Sequence, residues 1–198
     1  MNARFALRLL AAALIGLAAR GAPAAAEPVS VCFNYGCVAQ ADVLFDDGQL
    51  AELESLLGRA QTPAEEREAI GEAVGRLLGW AGRQSSIGAD RGGNYADDAV
   101  YGRMDCIDHA TTTTRLLRLL ERRGLLRFHS VLEPATRLRF LFFPHYSAQI
   151  EESGGAKSGE ENASARFVVD SWFFDNGHPA AVMPLDAWLT GESPDDGA

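Results

Sequence analysis

PHYSAQIEESGGAKSGEENASARFVVDSWFF, residues 144–174, decides the fold. Two segments of strand-like composition, 144–150 and 165–174, flank a glycine-rich polar stretch from Glu151 to Ser164 that only a solvent-exposed connection can accommodate. A hairpin symmetric about Lys157 and Ser158 places Ile150 opposite Ala165, Ala148 opposite Phe167 and Tyr146 opposite Val169, which makes one apolar face. On the other face Gln149 opposes Arg166, Ser147 opposes Val168, and His145 opposes Asp170. Directly opposed side chains have Cβ atoms about 5 Å apart, within reach of an imidazole to carboxylate hydrogen bond. A slip of one residue turns one strand over and loses both the apolar match and the His145 to Asp170 pair.

Upstream of this hairpin the pattern is helical. Leu50, Leu53, Leu56 and Leu57 recur at helical spacing within 47–60, and Ile70, Val74, Leu77 and Leu78 do so in a second helix. Thr62 as N-cap, Pro63 at the first position and Glu65 three residues after the cap give that second helix a capping box. Glu65, Glu66, Arg67 and Glu68 read as a solvated face. Glycines and short acids fill 82–103, a loop long enough to be functional and leading directly to Cys106. Asp105 then caps a helix with Ile107, Ala110, Thr114, Leu117 and Leu120 on its buried face, ending near Gly124. Strands are expected at 128–132 and 138–143, and a last strand at 180–183 before a short helix with Leu185, Trp188 and Leu189. DNGHP from Asp175 reads as a turn. The fold class is α+β: N-terminal helices and the Cys106 helix packed on an antiparallel sheet.

The N-terminus bears on compartment. Arg4 and Arg8, an apolar run from Leu9 to Ala19, and Ala24, Ala25 and Ala26 before Glu27 have the layout of a signal peptide over 1–26. The run of about ten residues falls short of the roughly 20 that a membrane span needs. The expected organisation is therefore a leader, one domain over 27–190 and an acidic disordered tail over 191–198. Losing Arg4, Arg8 and Arg20 with the leader takes the formal charge from −9 to −12, which argues against nucleic acid or an anionic membrane as partner. An exported chain is periplasmic or secreted, where disulfides persist.

Three cysteines pose a pairing question in such a compartment. Cys32 and Cys37 lie in CFNYGC, whose Asn34, Tyr35 and Gly36 allow a tight turn, so these two are expected to bond. Cys106 is left as a free thiol in the first turn of its helix. There unpaired backbone N–H groups and the helix dipole favour a thiolate. Asp105 and Asp108 act in the opposite sense, so thiolate formation has to depend on a histidine. His109, three residues on, supports the site locally, and a metal cluster of Cys106, His109 and these carboxylates lacks any distinctive ligand spacing. Trp172 is a candidate wall for the pocket. No cofactor or metal is called for.

The order of these residues resembles that of the transglutaminase-like superfamily, whose core is related to papain-like cysteine proteases. GRMDCIDHATTTTRLL, residues 102–117, looks like the cysteine motif of bacterial transglutaminase-like cysteine proteinases, with an acid two positions after the cysteine. HYSAQI and FVVDSW look like the histidine and aspartate strands. The resemblance implies a catalytic triad in which Cys106 attacks an amide or ester carbonyl, His145 carries the proton and Asp170 orients the imidazole. It departs from the pattern in one respect: no glutamine precedes Cys106 at papain-like spacing, so the side chain of an oxyanion hole is unassigned. A peptide or protein substrate, such as one of the cell envelope, and either hydrolase or transamidase chemistry follow from the same resemblance. The competing expectation is a catalytically silent periplasmic domain that binds a peptide or protein on the same fold.

Overall fold

The computed structural model describes residues 28–139, 143–153 and 165–194. The segment expected as a leader, most of the glycine-rich connection and the last four residues lie outside the described residues.

Among the described residues, two antiparallel sheets and four α-helices make up the fold. β1 (Val29–Phe33) and β2 (Ala39–Val43) form a hairpin of their own. α1 (Asp47–Gly58) and α2 (Pro63–Gly82) follow, then the long loop, then α3 (Cys106–Arg122). β3 (His129–Arg139), β4 (Phe143–Glu152), β5 (Arg166–Asp170) and β6 (Ala181–Pro184) make an antiparallel sheet in chain order, and α4 (Leu185–Leu189) closes it. The α+β class expected from the sequence is the class observed.

Caps account for where the helices start. Asp46 accepts from the Gln49 N–H while the Gln49 side chain returns to Asp46 N–H. Thr62 accepts from Glu65 N–H as expected, but the Glu65 carboxylate reaches Gln61 N–H rather than that of Thr62, so the expected box closes one residue early. Asp105 caps α3 in a complete box with Asp108. At Gly71 and Gly75 of α2 an added Cβ would lie 2.7 and 2.6 Å from backbone oxygens of Ala180 and His178, so only glycine lets the chain entering β6 rest on this helix.

One apolar core joins the β1–β2 hairpin, all three long helices and the inner face of the large sheet. Leu53, Ile70, Leu77, Leu116, Leu120 and Ile150 are fully buried in it. Each such side chain contributes roughly 1.5–3 kcal/mol by leaving water. Of the face expected for α3, Ala110, Leu117 and Leu120 are buried, whereas Ile107 is 37% exposed and Thr114 half-buried, and Asp108, His109, Thr112 and Thr113 point inward as well. Polar partners on neighbouring elements satisfy that inner face, which a reading of apolar periodicity passes over.

The strands correct the sequence reading in three places. The β1–β2 hairpin was expected only as a turn around CFNYGC. In place of the two short strands expected at 128–132 and 138–143 there is one edge strand, β3, with a register irregularity between Leu132 and Ala135 that accommodates Pro134; of 138–143, residues 140–142 lie outside the described residues and Phe143 begins β4. In the β4–β5 ladder Ala148 pairs with Val169 and Ile150 with Phe167, two residues away from the symmetric register. Because the slip is even, every side chain keeps its face, and the apolar match survives with new partners. Asp170 pairs with Ala181 of β6 and sits diagonally from His145.

Candidate active site

Cys106 occupies the first position of α3, half-buried, with its sulfur against the backbone of β4. Sγ is 3.8 Å from the Pro144 carbonyl oxygen, and the Tyr146 N–H hydrogen bonds toward it, so the thiol meets β4 on either side of His145. Burial pushes the thiol pKa up. The Tyr146 and Cys106 N–H groups act against this, and the Asp105 and Asp170 charges reinforce it. The net direction is upward, so the resting group is a protonated thiol at neutral pH. The helix N-terminus does not outweigh burial and the two carboxylates.

His145 is 3% exposed and Asp170 1%. His145 Nε2 lies 2.8 Å from Asp170 Oδ2. The same oxygen accepts from the Trp188 indole N–H at 3.0 Å, and Asp170 Oδ1 accepts from the Trp172 backbone N–H at 3.2 Å. With the Trp188 and Trp172 N–H groups converging on it, the carboxylate is held as an acceptor. Nε2 then carries the imidazole proton, and Nδ1 is left as the basic nitrogen. Trp172, Phe173 and Trp188 surround the ring, with centroids 5.0, 5.9 and 5.6 Å away. Trp188 was read only as part of a terminal helix. Its signal was a tryptophan on the apolar side of a short helix, since a buried indole N–H has to find an acceptor.

Cys106, His145 and Trp172 line one pocket of about 130 Å³. The loop expected to be functional supplies another wall, through Asn94 and Tyr95, whose ring lies 4.7 Å from that of Trp172. Three attachments fix this loop. Gly93 N–H donates to the Trp172 carbonyl, and Gly92 N–H donates to Asp175. Asp97 accepts from Tyr35 Oη and Asn94 Nδ2 and forms an ion pair with Arg103, whose Nε lies 2.8 Å from Asp97 Oδ2. Gly92 admits no side chain, because a Cβ would come within 2.4 Å of the Phe173 carbonyl oxygen.

Asp105 and Asp108 have an anchoring role that the sequence did not indicate. Asn34, Tyr35, Gly36 and Cys37 all have positive φ, between 58° and 67°, a left-handed run that turns successive N–H groups to one side. Tyr35 and Cys37 N–H donate to the two oxygens of Asp108 at 2.8 and 2.6 Å, and Gly36 N–H donates to Asp105 at 2.9 Å. The Cys32–Cys37 disulfide closes this turn, as the cysteine spacing predicted. Asp105 also reaches the pocket wall, whereas Asp108 is wholly buried. Burial and the neighbouring Asp105 push Asp108 up to about 6.

His109 turns away from Cys106: its Nδ1 is 2.9 Å from Ser171 Oγ and its Nε2 lies 3.0 Å from Asp90 Oδ2. The grouping of Cys106 and His109 weighed as metal ligands therefore does not form. Among the described residues the one cluster with ligand-like proximity is Cys32, Cys37 and Asp108, and there the two sulfurs are bonded to each other.

One further reading is corrected: Glu66, expected on a solvated face, is buried and paired with His129. Burial raises the Glu66 pKa, but His129 and the Arg127 and Phe128 N–H groups outweigh it and hold the carboxyl below its usual range. Three histidines thus face buried carboxylates: His109 with Asp90, His129 with Glu66, and His145 with Asp170. Among these three only His145 shares a pocket with a free thiol. No protein-family model matches the chain, and no curated protein and no solved structure matches it.

Proposed function

We propose that this protein is an exported cysteine-dependent acyl-transfer enzyme with Cys106 as nucleophile, His145 as base and Asp170 as orienter, on a core of the transglutaminase-like, papain-like kind. The observation that carries the reading is that a free thiol at a helix N-terminus and a carboxylate-held imidazole line the same pocket. The disulfide and the leader-like N-terminal sequence favour the periplasm or the exterior as its compartment.

The raised thiol pKa selects one version of the chemistry. Burial and the nearby carboxylates disfavour a resting thiolate, so His145 acts as general base during attack rather than as half of a preformed ion pair. As the sulfur bonds to the carbonyl carbon, His145 Nδ1 takes the thiol proton and the carbonyl π electrons move to oxygen. Collapse of the tetrahedral adduct breaks the bond to the leaving amine or alcohol, which takes the proton from His145. Water then attacks the thioester, His145 takes its proton, and the acid leaves as that proton returns to sulfur. An amine in place of water gives transamidation. Throughout, Asp170 stabilises the imidazolium and keeps Nε2 protonated.

The test is reaction with p-nitrophenyl acetate. Wild type is expected to give a burst of nitrophenolate with an acetyl group on Cys106, followed by turnover. His145→Ala should acylate 10²- to 10⁴-fold more slowly, on the order of the usual contribution of a general base. If His145→Ala reacts at the wild-type rate, the thiol is unassisted and a silent peptide-binding domain becomes the better account.

A further inference from the structure

A second buried polar chain runs beside the site. Asp90 Oδ2 lies 3.0 Å from His109 Nε2, His109 Nδ1 is 2.9 Å from Ser171 Oγ, and Ser171 Oγ is 2.8 Å from Thr113 Oγ1. Asp90, His109 and Ser171 are each no more than 5% exposed, so no substrate reaches this serine and the array is not a second nucleophilic centre. Burying these groups costs free energy that apolar side chains of the same volume would not incur. What such a chain supplies is fixed relative position.

Its three anchor points all belong to the proposed site. Ser171 stands between Asp170, which holds His145, and Trp172, which packs on the His145 ring. His109 follows Cys106 by three residues on α3. Asp90 Oδ1 accepts from the Met104 N–H, just before the Asp105 cap, and Asp90 begins the loop that carries Asn94 and Tyr95 to the pocket. The β4–β5 ladder cannot do this work alone, because its last pair is Ala148 with Val169, short of both His145 and Asp170.

We infer that His109 is a positioning residue: through Ser171 it sets Asp170 and His145 against the Cys106 end of α3. The inference rests on the acyl-transfer reading above. A role confined to stability would leave the chemistry of the folded protein unchanged, whereas a positioning role moves its rate and its pH profile.

The experiment measures acylation of Cys106 by p-nitrophenyl acetate across pH, alongside thermal unfolding, for Ser171→Ala, His109→Leu and His109→Asn, with His145→Ala as reference. Ser171→Ala and His109→Leu are expected to slow acylation roughly ten- to a hundredfold and to displace the pH profile, as small misplacements of catalytic groups do. His109→Asn, which keeps a polar atom near the Nδ1 position, should restore most of the rate. If His145→Ala is slow while Ser171→Ala and His109→Leu show the wild-type rate and profile, the positioning role is overturned and the enzyme reading stands. If His145→Ala itself matches wild type, the enzyme reading fails and this inference fails with it. Should His109→Leu not fold, Ser171→Ala decides, since it removes only a hydroxyl.

Discussion

His145 and Asp170 meet on a diagonal of the sheet, 2.8 Å apart, beyond the last paired residues of β4 and β5. No ladder hydrogen bond holds them at that distance, so the carboxylate depends on its other donors. Trp188 Nε1 is one of two, and it comes from α4, which follows directly on β6. Trp188→Phe keeps an aromatic ring under the Arg137 guanidinium and deletes the donor. The expected result is a tenfold or greater fall in Cys106 acylation, with loss of about 1–3 kcal/mol in denaturant unfolding from the buried acceptor it leaves. An unchanged acylation rate would show that the Trp172 N–H suffices to orient the carboxylate.

The Cys106 thiol should titrate above the usual cysteine range in the resting protein, as burial and the Asp105 and Asp170 charges require. Asp105→Asn tests the electrostatic part, because asparagine still caps a helix while removing the charge. The variant should bring the thiol pKa down, read as thiolate ultraviolet absorbance against pH. A value that does not move would assign the shift to burial and Asp170.

How much of this was legible in the sequence follows from what each residue answers to. Helix limits were readable at Thr62, Asp105 and Gly124 because capping is local chemistry. The face shared by His145 and Asp170 was readable because strand parity survives an even slip, while the true register was not, since the symmetric connection supplied no fixed point. Buried polar residues misled. Glu66 looked like part of a charged helix face, and its burial is decided by N–H groups at Arg127 and Phe128, some sixty residues away. Asp108 looked like a pKa perturbant of Cys106, and its partners are N–H groups exposed by a left-handed turn that no side-chain pattern announces.

Asp108 also predicts a pH dependence of stability. Its folded pKa, about 6, lies above the ordinary 3.8, so between these values the folded protein binds more protons than the unfolded chain. Stability should therefore rise as pH falls from 7 toward 4. Below that, Glu66, Glu121 and Asp175, whose carboxyls sit lower than usual in the fold, lose their stabilising ionised forms and the trend reverses. Urea midpoints over this range should pass through a maximum on the acid side of neutrality. In Asp108→Asn the rise between pH 7 and 4 should vanish, and its persistence would assign the proton uptake to another group.

Reduction of Cys32–Cys37 separates two consequences of one bond. By chain entropy so short a loop contributes roughly 2 kcal/mol, so Cys32→Ser with Cys37→Ser should lower the unfolding free energy by about that amount. The larger effect is local. The disulfide closes the turn whose N–H groups hold Asp105 and Asp108, and Asn34 in the same turn accepts from Gly102 N–H and donates its own N–H to the Arg103 carbonyl. Releasing it frees both sides of the segment that presents Cys106 to the pocket. Hydrogen exchange of the double variant should therefore quicken at residues 102–108 more than in α2 or β4. Uniform quickening across the chain would mean that the bond acts on global stability alone.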